Sequence, residues 1–501
     1  MIEMVDVPTR PDLEDYGQLA FLSAAVQKLR NEGRPLLRQL RGRKVWMINS
    51  TAQGGGVAEM LPKVISLLRD LGVITVWAVI KTDNADFFRF TKRMHNLIHG
   101  EGDPKITSEE QAVYDQISHQ LADELSPNIN PTDILVVHDP QPLGVGSLIK
   151  ERIKNPMIWR CHIGLDRDVD QTRAAWSFLR PYVMPYDQVV FSAHEYIPDY
   201  LTHRSSIIHP AIDPLSDKNR ELSLHRVVEV LCNASMAAPF QPVLDQRFAA
   251  PARRLLPDAT FGSPVERGDF GLLHRPIITQ ISRWDRLKGF APLLEAFVRL
   301  KSRLHEGQYD RDPVHRKRLG ITRLVLAGPD TESVQDDPEA LDVLRKLCSQ
   351  YTSLDKEMQQ DVMLLTLPMV SRRENALMVN ALQRCSTIVV QNSIQEGFGL
   401  TVTEAMWKRI SVLGSNACGI RQQIQEGVDG KTLSSPDDPD DVAKALDEML
   451  QDPDTRHLWG RNAQRRVHEM FLVFQQVASW LRVLASVTER QKTGRVKNKS
   501  R

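Results

Sequence analysis

Two successive series of short apolar runs, each run followed by an amphipathic helical stretch, constrain the fold of this 501-residue chain more than any other feature. Most of these runs are apolar at nearly every position, which is typical of strands buried on both faces of a parallel sheet. The predicted strands are 44–49, 74–80, 133–138, 157–161, 188–192 and 206–210 in the first series, and 277–282, 323–328, 362–367, 386–391 and 410–414 in the second. Two βαβα series in succession predict an α/β protein with two doubly wound domains.

The break between the two series predicts the domain boundary. Prolines and polar residues at 210–222 follow the last strand of the first series. We therefore expect an N-terminal domain at 1–215 and a C-terminal domain at 216–464. Residues 225–275 show little periodicity, and we interpret them as an insertion made of some helix and irregular chain.

Helical patterns lie between the predicted strands and after the last of them. The clearest ones are 57–72, 291–304, 373–384 and 401–409. A further amphipathic helix at 465–487 is expected to complete the N-terminal domain. The basic stretch 488–501 that follows is typical of a solvated, disordered tail.

Composition limits the class of protein. Hydrophobic residues make up 42% of the chain and charged residues 25%, with a net charge of +1, so no strong electrostatic field favours nucleic acid or a membrane surface. The chain has no run of about 20 apolar residues, and its acidic N-terminus lacks an apolar signal core. Five dispersed cysteines indicate free thiols in a reducing compartment. We expect a cytoplasmic protein.

The first candidate ligand site is the glycine-rich turn at 50–56, which reads STAQGGG between a predicted strand and a predicted helix. Glycines let a ligand approach the backbone, and a helix N-terminus presents unpaired N–H groups to an anion. The dinucleotide fingerprint is excluded because Glu59 occupies its third glycine position, and no G-K-[ST] follows as in a P-loop. Binding of a phosphate or sugar and a plain strand-to-helix turn both remain open from the residues alone.

The second candidate is the loop SRWDRLKGF at 282–290. Arg283 and Lys288 are five residues apart in this loop, so both could reach one point above the end of the preceding strand. The planar guanidinium and the mobile ammonium would together suit a diphosphate. The alternative is a solvated basic loop in which Asp285 pairs locally.

The third candidate is a pair of histidines at strand ends. His138 closes one predicted strand and begins the sequence HDPQP, and His162 follows the next strand in the sequence WRCHIG. A histidine at a strand end can hydrogen-bond a sugar hydroxyl or orient a reacting group. A lone histidine is more often a satisfied structural residue, and that alternative stays open for each.

The fourth candidate is the stretch EGFGLTVTE at 396–404. Thr401 and Glu404 fit a helix capping box, which by itself explains Glu404. It does not explain Glu396, which precedes the helix. The glycines between the two glutamates would admit a ligand to the backbone, and the amides that follow would face a phosphate. Carboxylates on either side could accept hydrogen bonds from sugar or ribose hydroxyls.

Taken together, the four features predict one site shared by the two α/β domains. It would combine helix N-termini, two cations, two carboxylates and strand-end histidines. This set fits a sugar whose anomeric carbon carries a phosphate or a nucleoside diphosphate. We expect that no metal is required, since the two cations would replace it and no His/Cys cluster has the spacing of metal ligands, and we expect no cofactor besides the sugar substrate.

These residues carry a family likeness. Glu396 and Glu404, separated by seven residues, resemble with SRWDRLKG the retaining family-4 glycosyltransferases of the GT-B fold. The sequences STAQGGGVAEM, VVHDPQP, WRCHIG and EGFGLTVTEAMWK are similar to the trehalose synthase (glycosyltransferring) branch, and the trehalose phosphorylases share much of this pattern. The likeness spans residues 45–430. It implies two Rossmann-like domains that face each other across a cleft, and a homodimer.

The resemblance also implies roles for individual residues. The implied catalytic residues are His162, Arg283, Lys288 and Glu396. The implied donor or nucleotide contacts are Gly55, Gly56, Arg283, Lys288, Gly397, Phe398, Gly399, Leu400, Thr401 and Glu404. The implied acceptor contacts are Gln53, Gly54, His138, Asp139 and Gln141. In this scheme Glu396 and His162 lie at the donor sugar, whereas Glu404 meets the ribose.

The resemblance implies a retaining hexosyltransferase that moves α-glucose from an NDP-glucose to glucose and so forms α,α-trehalose. Three alternatives stay open: a trehalose phosphorylase that uses α-glucose 1-phosphate, a retaining glucosyltransferase with another small polyol or sugar acceptor, and a non-catalytic sugar-nucleotide-binding protein. The implied partners are therefore small sugars and sugar nucleotides or phosphates, without nucleic acid or membrane. The nucleotide base leaves little residue signature.

Overall fold

The computed structural model describes residues 1–52, 55–238, 248–304, 306, 312–331 and 338–499, without the side chains of Gly55, Pro338 and residues 490–499. The chain forms two compact units. The first comprises Met1–Asp213 and Phe471–Arg501, and the second comprises Pro214–Met470. The second unit is therefore inserted into the first within the chain.

The first unit is built on a seven-stranded sheet among the described residues. Its strands are β1 (Ile2–Met4), β2 (Lys44–Asn49), β3 (Ile74–Ile80), β4 (Ile134–His138), β5 (Met157–Arg160), β6 (Gln188–Phe191) and β7 (Ser205–Ile207). Their order is β1-β3-β2-β4-β5-β6-β7, and only the unpredicted edge strand β1 pairs antiparallel within this described sheet. The predicted bounds of β2 and β3 are confirmed, and the predicted strand at 206–210 lies slightly earlier in the chain.

Helices cover this sheet. They are α1 (Leu13–Gly17), α2 (Ala20–Leu40), α3 (Gly55–Asp70), α4 (Ala85–Ile98), α5 (Ser108–Leu125), α6 (Leu143–Ile153) and α7 (Asp170–Val183). Local sequence explains several of their starts. The Thr107 side chain accepts a hydrogen bond from the Glu110 amide at the start of α5, and Glu110 caps the Thr107 amide in return. Phe87, Phe90 and Met94 form the buried face of α4.

The second unit holds an eight-stranded sheet in its described part. Its strands are β8 (Arg253–Leu255), β9 (Phe261–Gly262), β10 (Ile277–Ile281), β11 (Arg323–Pro329), β12 (Val362–Leu367), β13 (Ile388–Gln391), β14 (Ser411–Ser415) and β15 (Lys431–Leu433). The order is β15-β14-β13-β10-β11-β12-β8-β9, with parallel pairing from β15 to β12. Its helices are α8 (Leu224–Asn233), α9 (Phe290–Ser302), α10 (Pro313–Ile321), α11 (Pro338–Thr352), α12 (Lys356–Asp361), α13 (Arg372–Cys385), α14 (Leu400–Trp407), α15 (Cys418–Arg421), α16 (Pro439–Gln451) and α17 (Pro453–Met470). The expected pair of doubly wound α/β domains is confirmed.

The predicted insertion at 225–275 is more regular than expected. It begins with α8 and contributes β8 and β9, and β8 extends the sheet by pairing antiparallel with β12. Arg254 is buried in β8, where its guanidinium lies 4.9 Å from the centre of the Phe270 ring and donates to the Val362 carbonyl at 3.1 Å. A charged residue at a buried strand position breaks the apolar pattern, which is why the sequence did not predict this strand.

The single helix predicted at 465–487 is wrong, because two helices meet there. The helix α17 ends at Met470, and α18 (Val473–Lys499) begins after it. The Ile212 amide donates to the Phe471 carbonyl at 2.9 Å, and the Val473 amide donates to the Ile212 carbonyl at 3.0 Å. These bonds take the backbone at 471–473 out of the helical ladder.

The helix α18 returns to the first unit and packs on α2 and α3. Leu481 is fully buried there, and an ideal Cβ on Gly33 of α2 would lie 3.1 Å from Leu481 Cδ1. The backbone of α18 stays helical to Lys499, where the sequence predicted a disordered tail, since Arg, Gln and Lys residues favour helix. Within the described residues, none of the helices combines the length and apolarity that spanning a membrane requires.

We predict that Leu481→Ala lowers the free energy of unfolding by about 2–5 kcal/mol, because it removes a fully buried side chain and leaves a cavity beside α2. Arg482→Ala is the matched control. Arg482 follows Leu481 in the chain, and its side chain is 55% exposed and pairs with Glu32, so this change should lower the free energy of unfolding by less than about 1 kcal/mol. Urea unfolding followed by tryptophan fluorescence measures both. Equal, small losses would show that α18 does not complete the core of the first unit.

Candidate functional site

In the first unit, the predicted site residues lie at the carboxyl edge of the sheet, where its strand order reverses. In the sheet, β2 lies between β3 and β4. The chain passes from β2 to β3 on one side, and β4 lies on the other side of β2. In open α/β sheets, ligands bind beyond the carboxyl ends of the strands at such a reversal. The glycine-rich turn follows β2 and His138 ends β4, so the two features flank this position.

The glycine-rich turn is held at its start. Asn49 donates through Nδ2 to the Thr51 carbonyl at 2.6 Å and accepts from the Trp77 indole at 2.8 Å. Gln53 and Gly54 lie outside the described residues, and the backbone of α3 begins at Gly55. A Cβ on Gly56 would meet no described atom within 4 Å. Packing therefore does not require glycine at this position.

The two strand-end histidines contact each other. His138 Nδ1 lies 3.0 Å from His162 Nε2, and the two ring planes are 14° apart. The Trp480 ring of α18 lies beside His138, with centroids 6.2 Å apart. The other two ring nitrogens, His138 Nε2 and His162 Nδ1, are buried without a hydrogen-bond partner among the described residues. Each ring therefore uses one nitrogen in the contact between the histidines and keeps the other without a partner in the described part of the chain.

Asp139 connects the ends of β4 and β5. Its backbone is left-handed, with φ 64°, and its amide donates to the Arg160 carbonyl at 2.8 Å. Its carboxylate accepts from the His162 amide at 2.8 Å. These bonds give Asp139 a structural role, and its implied contact with the acceptor stays a prediction. Gln141 lies half-buried in the turn before α6.

Burial and a nearby buried cation keep this histidine pair neutral. Arg160 is 1% exposed and donates through Nη2 to Ser192 Oγ at 3.0 Å and to the Ile208 carbonyl at 2.8 Å. Burial and the charge of Arg160 lower the pKa of His138 to about 3 and hold the pKa of His162 well below its usual value. Burial raises the pKa of Asp139 to about 6. Both histidines are therefore neutral at neutral pH.

In the second unit, the candidate residues again lie where the strand order reverses. The strand β10 lies between β11, which follows it in the chain, and β13. Lys288 comes from the loop after β10 and Glu396 from the loop after β13. Lys288 Nζ lies 2.6 Å from Glu396 Oε2, with the two side chains 14% and 12% exposed. Two predicted residues 108 positions apart thus form one ion pair.

Further donors hold the Glu396 carboxylate. Ser393 Oγ donates to the same Oε2 at 3.0 Å and Gln391 Nε2 at 3.3 Å. Burial raises the pKa of Glu396, but Lys288, Ser393 and the charge of Arg283 lower it more, so the pKa lies below its usual value. The carboxylate is ionised, and the ammonium of Lys288 keeps further N–H donors for an anion.

Backbone and amide contacts fix the two loops against each other. Gln280 donates to the Lys288 carbonyl at 2.7 Å and accepts from the Asn392 amide at 3.0 Å. Asn392 Nδ2 donates to the Gly289 carbonyl at 3.0 Å. Gly289 is left-handed, with φ 64°, and an ideal Cβ there would lie 2.1 Å from the Asn392 carbonyl oxygen.

These supporting residues are not among those that the sequence predicted. Their signal was the run Gln391, Asn392 and Ser393, three polar residues directly after the apolar positions of β13. Polar side chains at the buried end of a strand need specific hydrogen-bond partners. Gln280 gave a similar signal inside β10.

Arg283 is placed differently from Lys288. Its side chain is 71% exposed, and Nη2 lies 3.8 Å from Asp285 Oδ2. Asp285 also accepts from the Leu287 amide at 2.8 Å, which caps the short turn Arg286–Lys288. The local pairing by Asp285 is therefore present. A contact of Arg283 with a phosphate stays a prediction, and its exposed guanidinium is accessible to one.

The predicted capping box at Thr401 and Glu404 is wrong. The helix α14 begins at Leu400, and Gly399 precedes it with φ 82° and no side-chain cap, so Thr401 lies inside the helix. Glu404 is 6% exposed, and its carboxylate lies 3.7 Å from Lys218 Nζ. The implied contact of Glu404 with a ribose stays a prediction.

Gln423 makes hydrogen bonds to the backbone of the loop at 396–399. Its Nε2 donates to the carbonyls of Phe398, Gly399 and Gly419, the last two at 3.3 and 3.0 Å, and its Oε1 accepts from Thr403. An ideal Cβ on Gly419 would lie 2.5 Å from the Gly397 carbonyl oxygen. Gln423 and Gly419 were missed because they lie outside the predicted motif.

No three His, Cys, Asp or Glu side chains in the described ranges converge on a point that could hold a metal ion.

Comparisons with known proteins identify the family and the fold of this chain. Residues 47–198 match the family "Trehalose synthase, N-terminal domain", and residues 266–466 match "Glycosyl transferases group 1". A trehalose synthase of Thermococcus litoralis is 33% identical over 95% of this chain and 97% of its own length. A trehalose phosphorylase of Pleurotus pulmonarius is 26% identical over 94% of this chain but 60% of its own length. The solved α,α-trehalose 6-phosphate synthase of Burkholderia multivorans shares the fold, with a TM-score of 0.62, 16% identity and coverage of 90% of this chain and 98% of that one.

We predict that Gly289→Ala lowers the free energy of unfolding of the second unit by about 1–3 kcal/mol more than Gly427→Ala does. Both glycines are left-handed, with φ 64° and 71°, so both variants carry the same backbone strain. Only the Cβ at position 289 also collides with the Asn392 carbonyl, whereas the one at 427 meets nothing described within 4 Å. Urea unfolding of the two variants tests this, and equal losses would contradict the close packing of the loops.

We also predict an acid sensitivity that arises from His138. As pH falls from about 6 to 4, the unfolded chain protonates this histidine but the folded protein does not, since the folded pKa is about 3. Stability is therefore lost by about 1.4 kcal/mol per pH unit for each such histidine. Asp139 opposes part of this loss, because its folded pKa of about 6 makes it take up a proton earlier in the folded state.

His138→Gln should make the dependence of unfolding free energy on pH shallower by about 1.4 kcal/mol per unit between pH 6 and 4. Replacement of the exposed His225 by Gln is the matched control and should leave the slope unchanged. Urea titrations at several pH values measure both slopes. An unchanged slope in His138→Gln would show that this histidine is not held neutral.

Proposed function

The chain belongs to the trehalose synthase family of group 1 glycosyltransferases, and we propose that it moves α-glucose from an NDP-glucose to glucose, giving α,α-trehalose with retention. The main support for this proposal is the 33% identity to a trehalose synthase over 95% of this chain and 97% of that relative. The chain is a hexosyltransferase with the GT-B fold, as the resemblance implied.

The second unit supplies the charges that the departing phosphate needs. Lys288 is held 2.6 Å from Glu396, at the carboxyl ends of β10 and β13, and Arg283 extends from the same loop. We assign Lys288 and Arg283 to the donor phosphates and Glu396 to the donor sugar. Preorganised positive charge lowers the barrier because it stabilises the oxygen on which negative charge develops.

The proposed step conserves atoms and electrons. The bond between C1 of the donor glucose and the phosphate oxygen breaks, and its electron pair stays on that oxygen. The acceptor hydroxyl oxygen forms a new bond to C1 on the same face of the sugar, and its proton passes to the departing phosphate. The protein orients the two sugars, which converts their encounter into an intramolecular reaction.

The first unit supplies neutral hydrogen-bonding groups. We assign His162 to the donor sugar and the glycine-rich turn with Gln141 to sugar hydroxyls. A neutral imidazole can bind a hydroxyl without a competing charge. We propose that the step uses no metal and no cofactor, since Arg283 and Lys288 provide the cations. We further propose that the protein is a homodimer and lies in the cytoplasm. Light scattering of the purified protein tests whether it is a dimer.

A trehalose phosphorylase is the second candidate, because such relatives match 94% of this chain. It would release the same sugar from α-glucose 1-phosphate and use the same cation site. The difference lies at the ribose. A phosphorylase has no ribose for Glu404, which is 6% exposed and contacts Lys218.

We predict that one of UDP-, ADP- or GDP-glucose raises the melting temperature more than α-glucose 1-phosphate does. A ligand at 100 times its Kd stabilises by about 2.7 kcal/mol. With glucose as acceptor, the same donor should yield a disaccharide that a trehalase cleaves. Stabilisation by glucose 1-phosphate alone, with phosphate released on addition of glucose, would contradict the transferase.

In the same assay, Glu404→Ala should weaken NDP-glucose binding at least tenfold and leave glucose 1-phosphate binding unchanged, since two hydrogen bonds to ribose hydroxyls are lost. The variant leaves the start of α14 intact, because Glu404 makes no capping bond there. Lys218→Ala is the control that breaks the ion pair but keeps the carboxylate. A transferase whose affinity ignores Glu404 would contradict the assigned ribose contact.

A further inference from the structure

The contact between His138 and His162 couples the positions of the protons on the two rings. The nitrogens in contact are His138 Nδ1 and His162 Nε2, 3.0 Å apart. Both rings are neutral, so each carries one proton on one of its two nitrogens. A hydrogen bond at this distance needs one protonated and one bare nitrogen. Whichever ring donates, the tautomer of one histidine therefore fixes that of the other.

The surroundings favour one of the two arrangements. His138 and Arg160 are register partners on β4 and β5, so their side chains share a face of the sheet. Arg160 is 1% exposed, and its Nε and Nη1 have no hydrogen-bond partner among the described residues. Arg160 acts electrostatically on His138 from the neighbouring strand, and we take its buried positive charge to favour a bare nitrogen over an N–H group on the side of His138 that has no described partner. His138 Nε2 is then bare, and its proton lies on Nδ1.

With the proton on His138 Nδ1, His162 Nε2 must accept, and the proton of His162 lies on its outer nitrogen, Nδ1. That atom is buried and has no partner among the described residues. It is thus a hydrogen-bond donor prepared for an oxygen acceptor. The Trp480 ring lies beside His138, and the Asp139 carboxylate accepts from the His162 amide and so fixes the backbone that carries the second ring.

We infer that His138 is a positioning residue, which acts by fixing His162 as a hydrogen-bond donor to a sugar oxygen, rather than by contacting the acceptor itself. The inference rests on the proposed function, because it takes His162 as the group that meets the sugar. It changes the role that the resemblance implied for His138. The orientation of a catalytic imidazole by a second group is worth large factors in rate where the wrong tautomer cannot act.

Two side chains of the same chemistry separate this role from a structural one. In His138→Asn the amide nitrogen occupies about the place of the imidazole Nδ1, so it can donate to His162 Nε2. In His138→Gln the amide lies one methylene further out, near the place of Nε2, and cannot. We expect His138→Asn to keep kcat/KM within about threefold of the wild type and His138→Gln to lose roughly tenfold or more. Equal losses in the two variants would overturn the inference.

A double-mutant cycle tests whether His138 acts through His162. In a His162→Asn background, the change His138→Gln should cost no further kcat/KM, because the group it positions is gone. A purely structural role would cost the same factor in both backgrounds, and that result would overturn the inference. Melting temperatures of all four proteins show whether each one folds.

A spectroscopic arm keeps the inference separate from the proposed function. In protein labelled with ¹⁵N-histidine, the signals of His162 are those that vanish in His162→Asn. We expect them to show a neutral ring protonated at Nδ1 in the wild type and in His138→Asn, and a mixture of tautomers in His138→Gln. A wild-type His162 protonated at Nε2 would overturn the inference. Absence of glucosyl transfer from every donor with this spectrum intact would instead refute the proposed function.

Discussion

Parallel strand pairing is the constraint on which both candidate sites depend. Because the strands of each sheet run the same way, their carboxyl ends lie on one edge, and loops that are distant in the chain become neighbours there. In the second unit this brings Lys288 and Glu396, 108 positions apart, to 2.6 Å. In the first unit it brings His138 to 3.0 Å from His162. At both edges the reversal of strand order opens the place that a ligand can enter.

The two units offset the free-energy cost of burying polar groups in different ways. The second unit keeps full charges and pairs them, and it surrounds the Glu396 carboxylate with Ser393 and Gln391. The first unit removes the charge instead, since burial and Arg160 hold both histidines neutral. A charged site suits a phosphate, whereas a neutral pair suits hydroxyls and tolerates no ion.

Much of the fold could be predicted from the sequence, because a fully buried strand such as β12 is visible as a continuous apolar run. The strand β8 was not visible, since its buried Arg254 depends on Phe270 and on a carbonyl of β12, both distant in the chain. The candidate site was predictable as residue types at strand ends. The capping box failed because a left-handed Gly399 moves the start of α14, and backbone conformation of this kind is not encoded in a spacing rule. The pairing of His138 with His162 required the register of β4 and β5.

The return of the chain to the first unit at Phe471 has a consequence for the order of folding during synthesis. Residues 214–470 form a unit that is continuous in the chain, so its core is complete as soon as they have left the ribosome. The first unit is translated first but lacks α18, whose buried Leu481 and Trp480 cover α2 and the ring of His138. It must wait with an exposed apolar face until about 250 further residues have been made, at a rate on the order of 5–20 residues per second. The unit that is translated first therefore completes its core after the unit that is translated second.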